Sequence, residues 1–172
     1  MKNKYRLSKT DFIEHGNVKL YRVIYYKWFS DNLEIGKKGG YIESEKNLSQ
    51  TGDARVWGSA QIWGDARIIG DARVWGSARV SGNAEISGSA EIWGNARISS
   101  GIWKTSPIQI QGTKHCLSES GKGRLYIGCL ELTIEEWLRD YKKIGESNGY
   151  TSKEIEEYHL YILLFKKLMV EE

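Results

Sequence analysis

Small and aliphatic side chains alternate with polar ones at a fixed period of six between Gly52 and Ser99. Each hexad reads Gly, then Asp, Ser or Asn, then Ala, a polar residue, Val or Ile, and a variable residue. A short motif repeated without interruption is the sequence mark of a solenoid. The aliphatic positions are Val56, Ile62, Ile68, Val74, Val80, Ile86, Ile92 and Ile98, and the small positions are Ala54, Ala60, Ala66, Ala72, Ala78, Ala84, Ala90 and Ala96.

The alternation within one hexad predicts a short strand followed by a corner. In residues 54–57, Ala54 and Val56 face one side and Arg55 and Trp57 face the other, because successive side chains of a strand alternate. The Gly that follows tolerates positive φ, and the Asp, Ser or Asn after it favours a turn. Even repetition of strand and corner therefore predicts a coil of parallel strands with an aliphatic interior.

The hexad resembles the hexapeptide repeat of the left-handed parallel β-helix family, in which an aliphatic residue is followed four places later by a small one. Three hexads make one triangular turn in that family, so the resemblance implies that residues eighteen apart stack on one another. It also implies a left-handed coil of about two and two-thirds turns over the 48 repeat residues. The fold class predicted is mainly β, a short left-handed parallel β-helix with additions at both ends.

The segment before the repeat predicts an amino-terminal β cap. Residues 17–29 are rich in β-branched and aromatic types, which indicates a strand. A solenoid needs its open end covered, because unpaired strand edges attract other strands. We therefore assign residues 1–51 to the cap and 52–106 to the coil.

The segment after the repeat predicts a hairpin and two helices. Residues 107–131 begin at the only proline and are predicted to form a short β hairpin, with strands at 108–111 and 124–129. Capping-box patterns at Thr133 and Thr151 then predict a helical hairpin within 132–172. Apolar residues at helical spacing in the second helix predict packing on the coil or on a partner chain, and we expect a homo-oligomer.

If residues eighteen apart stack, one face of the coil becomes aromatic. Trp57, Trp75 and Trp93 would form an outward ladder with about 4.8 Å between successive rings, with Arg55 and Arg73 beside it. Monomers rarely expose large apolar patches without a purpose. We therefore expect these five residues to bind a protein partner or a small signal molecule, or the rings to be covered within the chain or an oligomer.

The charge and composition argue against nucleic-acid binding, membrane insertion and secretion. The formal charge is +3, and the repeat carries as many acidic as basic residues. Nucleic-acid binding usually requires clustered positive charge, so nucleic acid is not the expected partner. No apolar stretch reaches the roughly 18 residues of a membrane span, and the basic start lacks the apolar run of a secretory signal. The expected location is the cytoplasm, where Cys116 and Cys129 are predicted to be free thiols.

A closer resemblance concerns the segments that flank the repeat. Residues 20–22 (Leu-Tyr-Arg) and 39–50 (Gly-Gly-Tyr-Ile-Glu-Ser-Glu-Lys-Asn-Leu-Ser-Gln) resemble a group of small phage and prophage hexapeptide-repeat proteins. Residues 108–115 and the helices that follow are similar to the carboxy-terminal part of some of them. This implies a viral or prophage origin and a cytoplasmic location in a bacterial host. The expected function is non-enzymatic binding that blocks a host factor, such as a defence protein or its signal molecule.

Two other functions stay open. Many left-handed β-helix proteins are acyltransferases that use a coil histidine as general base and acyl-CoA as donor. The repeat contains no histidine, since His15, His115 and His159 all lie outside it, so that family role has no matching position. We predict no catalytic residue, no cofactor and no metal. An acyltransferase relative is one alternative, and a structural or assembly protein is the other.

Overall fold

The computed structural model describes residues 3–26 and 36–169. The chain forms two compact units, Met1–Pro107 and Ile108–Glu172. The first unit contains β1 (Tyr5–His15), β2 (Val18–Tyr25), β3 (Lys37–Ile42), a 3₁₀ helix (Glu45–Asn47) and nine two-residue strands. Those nine are β4 (Arg55–Val56), β5 (Gln61–Ile62), β6 (Arg67–Ile68), β7 (Arg73–Val74), β8 (Arg79–Val80), β9 (Glu85–Ile86), β10 (Glu91–Ile92), β11 (Arg97–Ile98) and β12 (Ile102–Trp103).

The hexads wind into a parallel β-helix of about 4 turns, which confirms the predicted fold class. Every third strand pairs in parallel, giving sheets that contain β4-β7-β10, β5-β8-β11 and β6-β9-β12. The register places Val56 beside Val74 and Val74 beside Ile92, which is the eighteen-residue spacing. Each aliphatic and each small position of the repeat is at most 1% exposed. The interior is therefore the one that the hexad predicts.

The coil begins before the repeat does. Ile42 pairs with Ile62, and Leu48 forms a bridge with Ile68, so residues 41–48 supply two sides of the first turn. These partners are twenty residues apart rather than eighteen, because Leu48 and Val56 are separated by eight residues, whereas successive aliphatic positions of the repeat are separated by six. Part of the segment assigned to the cap is thus a coil turn that lacks the hexad sequence.

Two tyrosine hydroxyls complete the uncovered edge of the first turn. The Tyr25 hydroxyl accepts a hydrogen bond from the Val56 amide (2.8 Å) and donates one to the Val56 carbonyl (3.1 Å). The Tyr5 hydroxyl donates to the Leu48 carbonyl at 2.6 Å. Burial raises the pKa of Tyr25 to about 12 and that of Tyr5 further still. Because β4 is the last strand of its sheet, the Tyr25 hydroxyl replaces bonds that another strand would make to Val56.

The lowered pKa of Lys4 predicts that the free energy of unfolding increases at alkaline pH. Its ammonium donates to the Ala54 carbonyl (2.8 Å), and burial, with nearby Arg55, lowers its pKa to about 8. An unfolded lysine titrates near 10.4, so the unfolded state binds more protons between about pH 8 and pH 10.5, and stability rises through that window. Urea unfolding at pH 7 and pH 9.5 should show the wild type gaining stability relative to Lys4→Met. The same comparison with Lys9→Met, at an exposed site, should show no relative gain; a gain there would remove the assignment to Lys4.

The second unit contains a four-stranded antiparallel sheet followed by two helices. Its elements are β13 (Gln109–Gln111), β14 (Cys116–Gly121), β15 (Arg124–Ile127), β16 (Leu130–Thr133), α1 (Ile134–Ser147) and α2 (Ser152–Met169). Sequence reasoning predicted two strands here, whereas the structure has four in sequential order. Gly123 and Gly128, both with positive φ, turn the chain at either end of β15 and so divide the segment further.

Both predicted helices are confirmed, and each begins where its capping box lies. The Glu136 amide donates to the Thr133 hydroxyl (3.2 Å), while the Thr133 amide donates to the Glu136 carboxylate (2.9 Å). Thr151 and Glu154 repeat this exchange at the start of α2. The Trp137 indole donates to the Leu125 carbonyl at 2.8 Å and joins α1 to the sheet. Within the described residues, no helix has the length and apolar character that crossing a membrane requires.

Candidate functional site

Tryptophan rings from successive turns of the coil stack in register. The rings of Trp57 and Trp75 lie with centroids 5.0 Å apart and planes inclined by 5°. Trp93 follows β10, which pairs in register with β7, and its side chain is 44% exposed. We call Trp57, Trp75 and Trp93 the tryptophan ladder. The spacing of the Trp57 and Trp75 rings is close to the separation of adjacent strands, because each indole extends from the same position of its own turn.

The backbone under the ladder is fixed by bonds between turns. The Trp57 amide donates to the Val74 carbonyl (3.0 Å), and the Trp75 amide donates to the Ile92 carbonyl (2.9 Å). The residue before each tryptophan is fully buried in the coil interior. The rings of Trp57 and Trp75 are half-buried, so part of each remains on the surface. The ladder is therefore a preformed aromatic surface on a rigid scaffold.

The two arginines predicted to flank the ladder have different surroundings. Arg73 is partly exposed and forms an ion pair with Glu91 across one turn, with 3.3 Å between nitrogen and oxygen. Arg55 is only 5% exposed, and its guanidinium lies 5.3 Å from the centre of the Tyr25 ring. The amino-terminal segment lies over β4, the edge strand, and so buries Arg55. Of the two arginines, only Arg73 has a side chain that another molecule could reach.

Two contacts involve outward residues on the other faces of the coil. The ring of His15, at the end of β1, lies 4.5 Å from that of Trp63. Arg67 pairs with Glu85 at 3.6 Å across one turn. The other faces thus carry a single tryptophan packed on a histidine, whereas the ladder face carries stacked indoles.

The remaining candidate groups for chemistry belong to the second unit. His115 and His159 belong to the second unit, where the His159 ring stacks on Tyr141 at 4.1 Å. Cys116 and Cys129 are thiols rather than halves of a disulfide. Over residues 3–26 and 36–169, no three His, Cys, Asp or Glu side chains are grouped closely enough to hold a metal ion.

Sequence reasoning missed the role of Tyr25. The aromatic run around it predicted a strand but gave no sign that its hydroxyl would reach Val56 or that its ring would cover Arg55. The only signal was that β4 is the first strand of the repeat and therefore needs a cover. A buried edge requires a polar group to satisfy its amides, and tyrosine supplies one together with apolar area.

No protein-family model matches this chain, and no curated protein matches it either. The fold and the surface define its class: a mainly β protein built on a short parallel β-helix that displays a tryptophan ladder on one face. A parallel β-helix is a scaffold for many activities, so the fold by itself assigns none.

Proposed function

We propose that this protein is a non-enzymatic binding protein that contacts a partner protein through the tryptophan ladder and Arg73. The observation that carries the proposal is the parallel stacking of Trp57 and Trp75 at 5.0 Å, continued toward the 44%-exposed Trp93. Trp and Arg are the residue types most enriched at the energetic centres of protein interfaces. A rigid scaffold holds them in place, so little conformational entropy is lost when they bind.

The ring spacing favours a protein over a flat small molecule. Inserting a planar ligand between two rings needs about 6.8 Å, twice the 3.4 Å stacking rise of nucleic-acid bases. The 5.0 Å between Trp57 and Trp75 leaves no such gap, so a partner must lie across the ladder and contact ring edges and exposed faces. An extended protein surface fits that requirement, whereas a signal molecule would reach only one or two rings.

The resemblance to phage and prophage hexapeptide-repeat proteins supports a bacterial host protein as the partner. Binding such a protein, for example a defence protein, would block it without chemistry. The nearly neutral coil surface fits a protein partner better than a nucleic acid, because the repeat carries equal numbers of acidic and basic residues.

Trp75→Ala tests the proposal directly. The partner captured from the bacterial host by the tagged wild type is identified, purified and titrated calorimetrically against each variant. Trp75→Ala is expected to weaken binding at least tenfold, the loss typical of an interface hot spot. Trp63→Ala is the matched control, because it removes an indole from another face of the same coil and should leave the dissociation constant unchanged.

Two outcomes would count against this function. Equal dissociation constants for Trp75→Ala, Trp63→Ala and the wild type would show that the ladder is not the binding surface. A clear calorimetric signal on titration with acetyl-CoA, with no protein captured, would favour the acyltransferase relative instead. Circular dichroism of each variant must match the wild type, since a partly unfolded coil would lose binding for another reason.

A further inference from the structure

Helix α2 is apolar on two opposite sides. Tyr158, Ile162 and Phe165 are at most 4% exposed and pack into the core of the second unit. Four leucines on the other side are exposed: Leu160 (57%), Leu163 (42%), Leu164 (43%) and Leu168 (45%). We call these four the outer leucine face. Exposed apolar patches of this kind commonly mark interaction surfaces.

An acidic residue lies near one end of the outer leucine face, and a basic residue lies near the other end. Glu156, with a side chain that is 66% exposed, lies one turn before Leu160, and exposed Lys167 lies about one turn after Leu163. Positions 156, 160, 163 and 167 are separated by four, three and four residues. That alternation places them in one stripe along the helix, as in the seam of a coiled coil.

We propose that the outer leucine face binds the same face of a second copy of this chain, with the two α2 helices antiparallel. One register pairs the two leucines of this stripe and also the two charges. Placing Leu160 opposite Leu163 of the other copy also places Glu156 opposite Lys167, because both pairs share the same midpoint between Tyr161 and Ile162. Two-fold symmetry repeats each contact, so four ionic groups form two ion pairs around an apolar centre.

The charges decide the direction of pairing. In a parallel arrangement Glu156 would face Glu156 and Lys167 would face Lys167, and like charges across an interface are unfavourable. The antiparallel arrangement replaces both repulsions with attractions. The stripe from Glu156 to Lys167 is about 16 Å long at 1.5 Å per residue, which gives three turns of helix to the contact.

Charge reversal in the full-length protein tests this interface. Sedimentation equilibrium of the wild type is expected to show a monomer–dimer equilibrium. Glu156→Lys alone and Lys167→Glu alone each turn two attractions into two repulsions and should weaken the dimer about tenfold. The double variant Glu156→Lys/Lys167→Glu restores opposite charges in the same register and should recover wild-type affinity. Lys142→Glu, at an exposed site on α1, is the matched control and should change nothing.

A second variant separates the interface from the fold. Leu160→Glu should abolish the dimer and, because the side chain is exposed, should leave the circular dichroism spectrum and melting temperature unchanged at concentrations where the wild type is monomeric. A wild type that stays monomeric at 100 micromolar would overturn the proposal. So would a dimer in which the double charge variant is no stronger than either single one, or a monomer that Leu160→Glu destabilises, since that result would mean the face is covered within one chain.

Discussion

Gly82→Ala is expected to destabilise the protein by about 3 kcal/mol or more, the upper end of the cost of overpacking. Gly82 has φ +60°, and a Cβ placed there would lie 2.2 Å from the Ser99 carbonyl oxygen of the next turn. That oxygen is backbone, so relief would require two stacked corners to separate. The nearby Ser81 amide, which donates to the Ile98 carbonyl at 2.9 Å, would lose its geometry.

Gly94→Ala is the matched control for the clash. Gly94 has φ +62° and occupies the same position of its hexad, but a Cβ there meets no atom of the described residues within 4 Å. Its replacement should therefore cost only the strain of a left-handed alanine, about 1 kcal/mol. Urea unfolding of both variants measures the difference. If the two variants lost equal stability, the contact between corners would carry no cost and only the backbone angle would matter.

Asn47→Asp is expected to cost about 3 kcal/mol or more at pH 7, the range for breaking a buried polar network. Asn47 is fully buried, and its amide nitrogen donates to the Gly64 (3.0 Å) and Ala66 (2.8 Å) carbonyls. Its amide oxygen accepts from the Ser44 amide at 3.0 Å. An aspartate keeps the shape and the acceptor but loses both donors and brings a negative charge against two carbonyl oxygens.

The loss caused by Asn47→Asp should depend on pH. Burial beside two carbonyls raises the pKa of the introduced carboxyl in the folded state, so the folded state binds more protons than the unfolded one. Stability is then lost as the pH rises, and the variant should be closer to the wild type at pH 4 than at pH 7. Asn83→Asp is the control, because that exposed corner position carries Asp in other hexads. An equally small effect of both variants at pH 7 would show that the Asn47 bonds do not hold the first turn.

Residues that repeat are the ones whose structure the sequence predicted well. Val56, Val74 and Ile92 occupy equivalent places, so one pattern explains the whole interior, and the stacking of Trp57 on Trp75 follows from the same spacing. No second copy of the pattern exists for Ile42 and Leu48, which enter the coil through partners twenty residues away. Their place depends on the Asn47 bonds, which are visible only once the chain is folded.

Burial of outward-facing residues was the least predictable part of the candidate site. Strand alternation correctly places Arg55 outside the coil interior, but it carries no information about what another segment lays over it. The Tyr25 ring and Lys4 occupy that space, and so Arg55 is covered while Arg73, one turn further, is partly exposed. The same limit applies to Leu160 in α2, where helical spacing predicts an apolar residue but not which side of the helix meets the core.

The eighteen-residue stacking makes the coil a modular spacer. Gain or loss of three hexads would change its height by one strand separation, about 4.8 Å. It would also add or remove one position of the tryptophan ladder and would leave both ends of the coil unaltered. Gain or loss of a single hexad would instead move the chain's exit to the neighbouring side of the triangle. Insertions or deletions of eighteen residues would therefore change the height of the coil. Those of six residues would change the side of the coil at which the chain leaves it.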